Sequence, residues 1–252
     1  MILNHVVEGR GRRVLLLHPV GIDLTFLEPL AALLATRYRV MRMDLRGHGA
    51  SALEPLAASL ADFAGDVHET LVHTGFAPCT VVGFSFGGMV AQTLALSCPD
   101  DVAALVPCAG PCTQSPAGRL IAVARGTDAL AGGMGVVLEA AMDRWFTPAF
   151  RASGGADAAH AYLLARDVRG WACGWQAIAA IDTLPLLPTL TMPTLCIAGE
   201  LDKSSPPATV RVIADAIPGA QFKVIAGAPH MLFIEQPQAV AEMISTFLDT
   251  LR

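Results

Sequence analysis

The chain has little charge and no long apolar run. Only 15% of its 252 residues are charged, the net charge is -5, and lysine and arginine form no run. Because nucleic acids and anionic membranes attract dense positive charge, neither is expected as a partner. No apolar stretch approaches the roughly 20 residues of a membrane helix. Residues 1–13 lack the apolar core of a signal peptide, so we expect a cytoplasmic protein.

Motifs for metals and nucleotides are missing too. The six cysteines show no Cys-x2-Cys pair, and most lie among apolar residues, where free cysteine packs as a small hydrophobe. Disulfides are not expected, and Cys108 and Cys112 are interpreted as packing residues. The sequence has no Gly-Lys-Ser/Thr phosphate loop, no dinucleotide spacing and no cluster of histidine and carboxylates for a catalytic metal. We therefore expect neither cofactor nor metal.

Hydrophobic residues make up 53% of the chain, enough for one large domain with an insertion. Short β-branched runs predict strands at 14–17, 40–43, 80–82, 102–106, 194–198 and 222–225. Segments of helical periodicity predict helices at 26–34, 57–74, 88–98, 207–217 and 237–251. This alternation predicts an α/β fold, with a mostly parallel sheet flanked by helices.

The strand pattern stops in the middle of the chain. Helical stretches follow instead at 136–145, 156–167 and 171–181, interrupted by glycine pairs. We predict a core domain formed by residues 1–109 and 186–252, with residues 110–185 inserted as a helical cap. Six arginines lie in this insertion: Arg119, Arg125, Arg144, Arg151, Arg166 and Arg169.

The segment Gly83-Phe84-Ser85-Phe86-Gly87 lies between a predicted strand and a predicted helix. A serine flanked by glycines at such a junction is typical of a nucleophile elbow, whose tight turn strains the serine backbone and exposes its hydroxyl. The helix that follows directs its N-terminus towards developing negative charge. We predict that Ser85 is a catalytic nucleophile.

A serine nucleophile needs a base, and the base needs a group that fixes its tautomer. In this architecture the chain order is nucleophile, acid, histidine. His230 follows the last internal strand and is predicted to be the base. Asp202 follows the strand at 194–198 and is predicted to be the acid, with Glu200 and Asp182 as weaker candidates.

The tetrahedral intermediate also needs hydrogen-bond donors for its oxyanion. We predict the backbone N–H of Phe86, which follows the nucleophile, and the N–H of Val20 in the loop after the first strong strand. Pro19 has no N–H to offer. His18 is interpreted as a brace for this loop.

A second glycine-containing loop, Asp44 to Ser51, follows the strand at 40–43. It has no phosphate-binding pattern, so we interpret it as a structural turn near the site. Four segments of the chain resemble those of the α/β-hydrolase superfamily. They are the His18 loop, this Asp44 loop, the Ser85 elbow, and the paired Asp202 and His230 loops. The likeness extends from about Val14 to Leu248.

Within that superfamily the chain is similar to 3-oxoadipate enol-lactonases. The similarity lies in 144–150, in 197–202 with the Ser-Pro-Pro that follows, and in 217–220. It implies hydrolysis of a small lactone or ester that carries a carboxylate. The cap arginines are either a clamp for that carboxylate or solvated faces of the cap helices, and the sequence leaves both interpretations open. Two positions depart from that pattern, namely His18, where a small polar residue is usual, and Phe86, where methionine or leucine is common.

The expected function is therefore a cofactor-free serine esterase or lactonase that acts on a small molecule. His18, Trp145 and Met231 are expected to line its substrate pocket. Alternatives are a cofactor-free haloperoxidase (perhydrolase) or a carbon–carbon bond hydrolase with the same triad. A small-molecule binding protein built on this fold is the non-enzymatic alternative.

Overall fold

The apolar runs form a single sheet. A computed structural model describes residues 1–56 and 59–251. The strands are β1 (His5–Gly9), β2 (Arg13–Leu17), β3 (Arg39–Met43), β4 (Cys79–Phe84), β5 (Val102–Cys108), β6 (Leu195–Gly199) and β7 (Gln221–Ile225). Their order across the sheet is β1-β3-β2-β4-β5-β6-β7. β1 pairs antiparallel with β3, and the other pairs are parallel. The predicted mostly parallel sheet is confirmed.

Helices follow most of these strands. They are α1 (Glu28–Ala35), α2 (Leu60–Thr74), α3 (Phe86–Ser97), α4 (Pro116–Gly132), α5 (Gly135–Trp145), α6 (Pro148–Ala152), α7 (Asp157–Leu164), α8 (Val168–Ala179), α9 (Pro207–Ala216), α10 (Leu232–Glu235) and α11 (Pro237–Thr250). A reciprocal pair of hydrogen bonds between Ser59 and Asp62 starts α2. The predicted start of that helix at 57 lies outside the described residues. None of the helices in the described ranges has the length and apolar character needed to cross a membrane.

The central strands are almost completely buried. Every residue of β4 and β6 is buried, as expected for parallel strands covered on both faces. Because β2, β4 and β6 run in the same direction, the loops after their carboxyl ends lie at one edge of the sheet. This edge of an α/β sheet is where ligands bind.

The sequence did not indicate the first strand. β1 is one of the two edge strands of the sheet, and Val6 and Val7 are 41% and 38% exposed. Its sequence, HVVEG, has only these two apolar residues between polar ones. It therefore lacks the apolar run by which the other strands were predicted.

The segment 110–185 is helical from α4 to α8, and its described residues add only an isolated bridge between Thr113 and Asp182. The sequence did not indicate α4. Leu120, Ile121 and Leu130 of this helix are 73%, 54% and 54% exposed, so its apolar residues do not form the single buried stripe that predicts a helix. The boundaries of the proposed cap domain stay a prediction.

Candidate active site

The backbone at Ser85 is strained. Ser85 has φ 51° and ψ -112°, a positive φ that side-chain-bearing residues seldom adopt. The turn is so tight that a Cβ at Gly83 would lie 2.2 Å from the Gly87 carbonyl oxygen, and a Cβ at Gly87 would lie 2.4 Å from the Leu17 carbonyl oxygen. The two glycines thus permit the conformation that places Ser85 between β4 and α3.

Ser85 lies in a chain of hydrogen bonds with the two side chains predicted to join it. Its Oγ is 3.0 Å from His230 Nε2, and His230 Nδ1 is 2.9 Å from Asp202 Oδ2. A carboxylate only accepts hydrogen bonds, so Nδ1 carries the proton and Nε2 is free to accept the serine proton. All three residues are buried. The structure therefore brings together the three predicted residues, which lie after β4, β6 and β7.

Asp202 is fixed from its other side. Its Oδ1 accepts hydrogen bonds from the backbone N–H groups of Ser204 at 2.7 Å and Ser205 at 2.8 Å. The two weaker candidates for the acid are engaged elsewhere. Glu200 is exposed and accepts from the Gly227 N–H, while Asp182 is exposed and accepts from a threonine hydroxyl. Asp202 is thus the acid that contacts the histidine.

The backbone N–H groups of Val20 and Phe86, near Ser85, have no acceptor within the described residues. Phe86 is the first residue of α3, where the N–H groups of a helix have no partner inside it. Val20 lies on the wall of the cavity that contains Ser85. Both predicted oxyanion donors are therefore unpaired groups on the flank of the serine.

His18 lies behind this wall and not on it. Its Nε2 accepts from the Leu45 N–H at 2.9 Å, so its Nδ1–H donates to the Pro19 carbonyl at 2.7 Å. Complete burial lowers the pKa of His18 to about 4, which keeps the ring neutral. The expectation that His18 lines the substrate pocket is wrong, because both ring nitrogens hold the backbone of the loop. The interpretation as a brace agrees with these contacts.

The Asp44 loop is a structural turn that packs beside His18. Asp44 accepts hydrogen bonds from the N–H groups of Leu24 and Ala50, and a Cβ at Gly49 would lie 2.1 Å from its Oδ2. His48 in the same loop is buried with its ring centroid 5.1 Å from that of His18. Burial lowers the pKa of His48 to about 3, and the neighbouring His18 adds to that effect.

A cavity of about 280 Å³ opens above Ser85. Such a volume suits a small molecule. Trp145 lines it as predicted, together with residues that the sequence did not single out as pocket residues, among them Met89, Trp175 and Ile178. Met231 does not line it. Its side chain is completely buried, and its N–H donates to the Trp145 carbonyl at 3.0 Å, so its placement in the pocket is corrected.

Two arginines also face the cavity, Arg125 of α4 and Arg144 of α5. The sequence does not indicate which of the six arginines in segment 110–185 point inward, because that depends on how each helix is rotated against the sheet. The described lining of the cavity contains no carboxylate.

A group of potential metal ligands lies far from this cavity. His68, Cys98 and Asp101 offer ligand atoms within 4.8 Å of one another, and His68 Nδ1 is 2.6 Å from Asp101 Oδ2. Ser85 precedes the first residue of α3 and Cys98 follows its last. Twelve helical residues, or roughly 18 Å of helix, separate the two places. This group therefore takes no part in chemistry at Ser85.

Comparison with known proteins agrees with this architecture. Residues 14–243 match the model of the alpha/beta hydrolase family. The structure superimposes on that of the enol-lactonase from Burkholderia xenovorans LB400 with a TM-score of 0.92 and 28% identity, covering 98% of this chain and 96% of that one. The chain belongs to the alpha/beta hydrolase family, and the superfamily resemblance is confirmed.

Among curated relatives, the pimeloyl-[acyl-carrier protein] methyl ester esterase of Aeromonas hydrophila is 30% identical, with 95% of this chain and 96% of that protein covered. The polyketide synthase ThaQ of Burkholderia thailandensis is 32% identical over 97% of this chain. The chain spans only 12% of that synthase. Membership of this family and the similarity to the esterase and the enol-lactonase support hydrolase activity.

Proposed function

We propose that the protein is a cofactor-free serine hydrolase that cleaves a small carboxylic ester or lactone through an acyl-enzyme on Ser85. The observation that carries the proposal is the continuous hydrogen-bonded chain from the Ser85 hydroxyl through His230 to Asp202. This arrangement supplies a nucleophile, its base and the group that orients the base. The similarity to an esterase and an enol-lactonase supports the same class of bond.

In the first half of the reaction, Ser85 Oγ forms a bond to the substrate carbonyl carbon while its proton moves to His230 Nε2. Asp202 stabilises the resulting imidazolium by its hydrogen bond to Nδ1. The carbonyl oxygen becomes an oxyanion, which the N–H groups of Val20 and Phe86 bind. The intermediate then expels the ester oxygen, which takes the proton from Nε2.

In the second half, water attacks the acyl-enzyme. His230 Nε2 removes a proton from the water as its oxygen bonds to the acyl carbon, and the proton then passes to Ser85 Oγ as that oxygen leaves. An ester gives an acid and an alcohol in this way. With a lactone, the expelled oxygen stays in the acyl chain, so the product is one ring-opened acid.

A substrate screen tests the proposal. Short-chain nitrophenyl esters and several lactones, including 3-oxoadipate enol-lactone, are offered to the wild-type protein and to Ser85→Ala. We expect turnover of at least one ester or lactone by the wild type and a loss of about 10⁴-fold or more in kcat for Ser85→Ala. Turnover that persists in Ser85→Ala contradicts the proposal. Peroxide with acetate, and a meta-cleavage product, test the perhydrolase and the carbon–carbon hydrolase in the same assay.

A further inference from the structure

The cavity above Ser85 carries two cationic side chains without an acidic partner. Arg125 and Arg144 are both half-buried and both line the cavity. Neither guanidinium makes a hydrogen bond or an ion pair to any described residue. The Arg125 guanidinium instead lies over the Trp175 ring, with Cζ 4.5 Å from the ring centroid. A cation–π contact of this kind uses none of the guanidinium N–H groups as hydrogen-bond donors, so these groups are available to an anion.

No acid among the described residues forms an ion pair with either arginine. Asp143, beside Arg144, is exposed and forms an ion pair with Lys203 Nζ at 3.0 Å. Its charge raises the pKa of Arg144, but by less than burial lowers it. Asp202 is occupied by His230 and two backbone N–H groups. The cavity therefore has two positive charges and, in its described lining, no negative one.

Two half-buried positive charges near each other disfavour the charged form of both arginines. Burial, with the nearby charge of Arg144 as a smaller second cause, lowers the pKa of Arg125 to about 10. Burial also lowers the pKa of Arg144. Half-buried cations of this kind gain strongly from an anion, because charge-assisted hydrogen bonds in a partly dry site exceed those in water.

We propose that Arg125 and Arg144 bind an anionic group of the substrate, and that the protein therefore selects esters or lactones that carry a carboxylate away from the scissile carbonyl. The inference rests on the function proposed above. In a cavity of about 280 Å³, a carboxylate at the arginines and a carbonyl at Ser85 belong to one short molecule. Hydrolysis of such an ester gives either a diacid and an alcohol or an acid and a hydroxy acid, and hydrolysis of such a lactone gives a single diacid that also carries the released oxygen.

Two pairs of matched substrates test the selection. Mono-4-nitrophenyl glutarate and adipate are compared with 4-nitrophenyl pentanoate and hexanoate, which carry a methyl group in place of the carboxylate. We expect the wild type to prefer at least one carboxylate substrate by about tenfold or more in kcat/KM. Arg144→Gln and Arg125→Gln each reduce that preference, taken as the ratio of the two kcat/KM values of the same variant, by about tenfold to a hundredfold, mainly through KM for the carboxylate substrate.

Arg119→Gln is the matched control. Arg119 lies on α4 like Arg125, but it is exposed and outside the cavity lining. We expect it to keep the wild-type preference, and Arg144→Lys to keep part of it, since an ammonium retains the charge without the fork. A wild type that never prefers the carboxylate substrates overturns the inference. So does a loss of preference in Arg119→Gln as large as in Arg144→Gln.

A binding measurement separates this inference from the proposed function. Calorimetry with glutarate and adipate on Ser85→Ala needs no turnover, and we expect binding of at least one of them that Arg144→Gln removes. No binding of either acid overturns the inference. Ser85-dependent turnover without charge preference contradicts this inference alone, whereas turnover that does not depend on Ser85 contradicts the proposed function.

Discussion

The two regions that form the cavity differ in how their polar groups are paired. At the carboxyl ends of the strands, the groups proposed to react have partners inside the protein: Ser85 contacts His230, His230 contacts Asp202, and Asp202 accepts from two backbone N–H groups. In segment 110–185, Arg125 and Arg144 face the same cavity and have no acidic partner among the described residues.

This difference separates chemistry from selection. Groups that transfer protons must be in position before the substrate arrives, because reorganisation during the reaction raises the barrier. Groups that select a substrate can lack a hydrogen-bond or charge partner in the free protein, because the correct substrate then supplies that partner. The first of the following predictions tests the hydrogen-bonded groups at the carboxyl ends of the strands. The last tests the contact between the core and the helical segment 110–185.

Asp202→Asn is expected to have the largest effect. An asparagine side chain can donate its amide hydrogen to His230 Nδ1, which favours the tautomer with the proton on the wrong nitrogen. We expect a loss of about 10⁴-fold in kcat with little change in stability, measured by initial rates on the best substrate of the screen. Glu200→Gln, in the same loop but away from the histidine, should stay within about threefold. Equal effects of the two substitutions would show that the acid was misassigned.

Acid pH is expected to lower the free energy of unfolding, because two histidines are buried in the folded protein. The folded pKa values of His18 and His48, about 4 and about 3, lie below the unfolded value of 6.5. As pH falls below 6.5, the unfolded chain binds protons that the folded one does not, so the free energy of unfolding decreases. It should fall by about 4 kcal/mol between pH 7 and 5 from both residues together.

Urea denaturation at several pH values measures this decrease. His48→Asn removes one of the two titrating rings, and it should lose about half of the pH dependence whatever its stability at pH 7. An unfolding free energy that stays constant from pH 7 to 5 would contradict the neutral, buried state of both rings.

Gly83→Ala tests the tight turn itself. The added Cβ would lie 2.2 Å from a backbone oxygen that cannot move without displacing α3. We expect a loss of about 3 kcal/mol or more in the free energy of unfolding. Gly65→Ala in α2 is the matched control, since its Cβ meets no atom within 4 Å and alanine favours a helix. Similar losses in the two variants would mean that the turn tolerates a side chain.

Glu235→Ala tests the connection between the regions. Glu235, at the end of α10, accepts hydrogen bonds from the N–H and the hydroxyl of Thr147 at the start of α6. Their loss should lower the free energy of unfolding by about 1.5 kcal/mol, measured by thermal or urea denaturation. Exposed Glu242 on α11 makes no contact of this kind with the described residues, so Glu242→Ala should change it by less than about 0.5 kcal/mol. No difference between the two would contradict the role of Glu235.

The three side chains that the sequence proposes for the triad lie together in the structure, and there is a physical reason why the sequence could indicate them. A serine between glycines at a strand–helix junction can adopt few conformations, and chain order then limits the choice of His230 and Asp202. The helical segment was harder to predict. Whether Arg125 faces the cavity and Arg119 faces solvent depends on helix rotation, which tertiary packing determines. α4 and β1 were missed because each exposes apolar residues and so lacks the usual hydrophobic pattern.

The most direct test of the account is to map the site of a fluorophosphonate adduct by mass spectrometry. This probe modifies a serine only when a neighbouring base activates it. We predict one adduct on the peptide that contains Ser85, its absence in Ser85→Ala, and its retention in Ser204→Ala, which alters another serine on the cavity wall. Equal labelling of the wild type and Ser85→Ala, or an adduct on Ser204, would contradict the claim that Ser85 is the nucleophile.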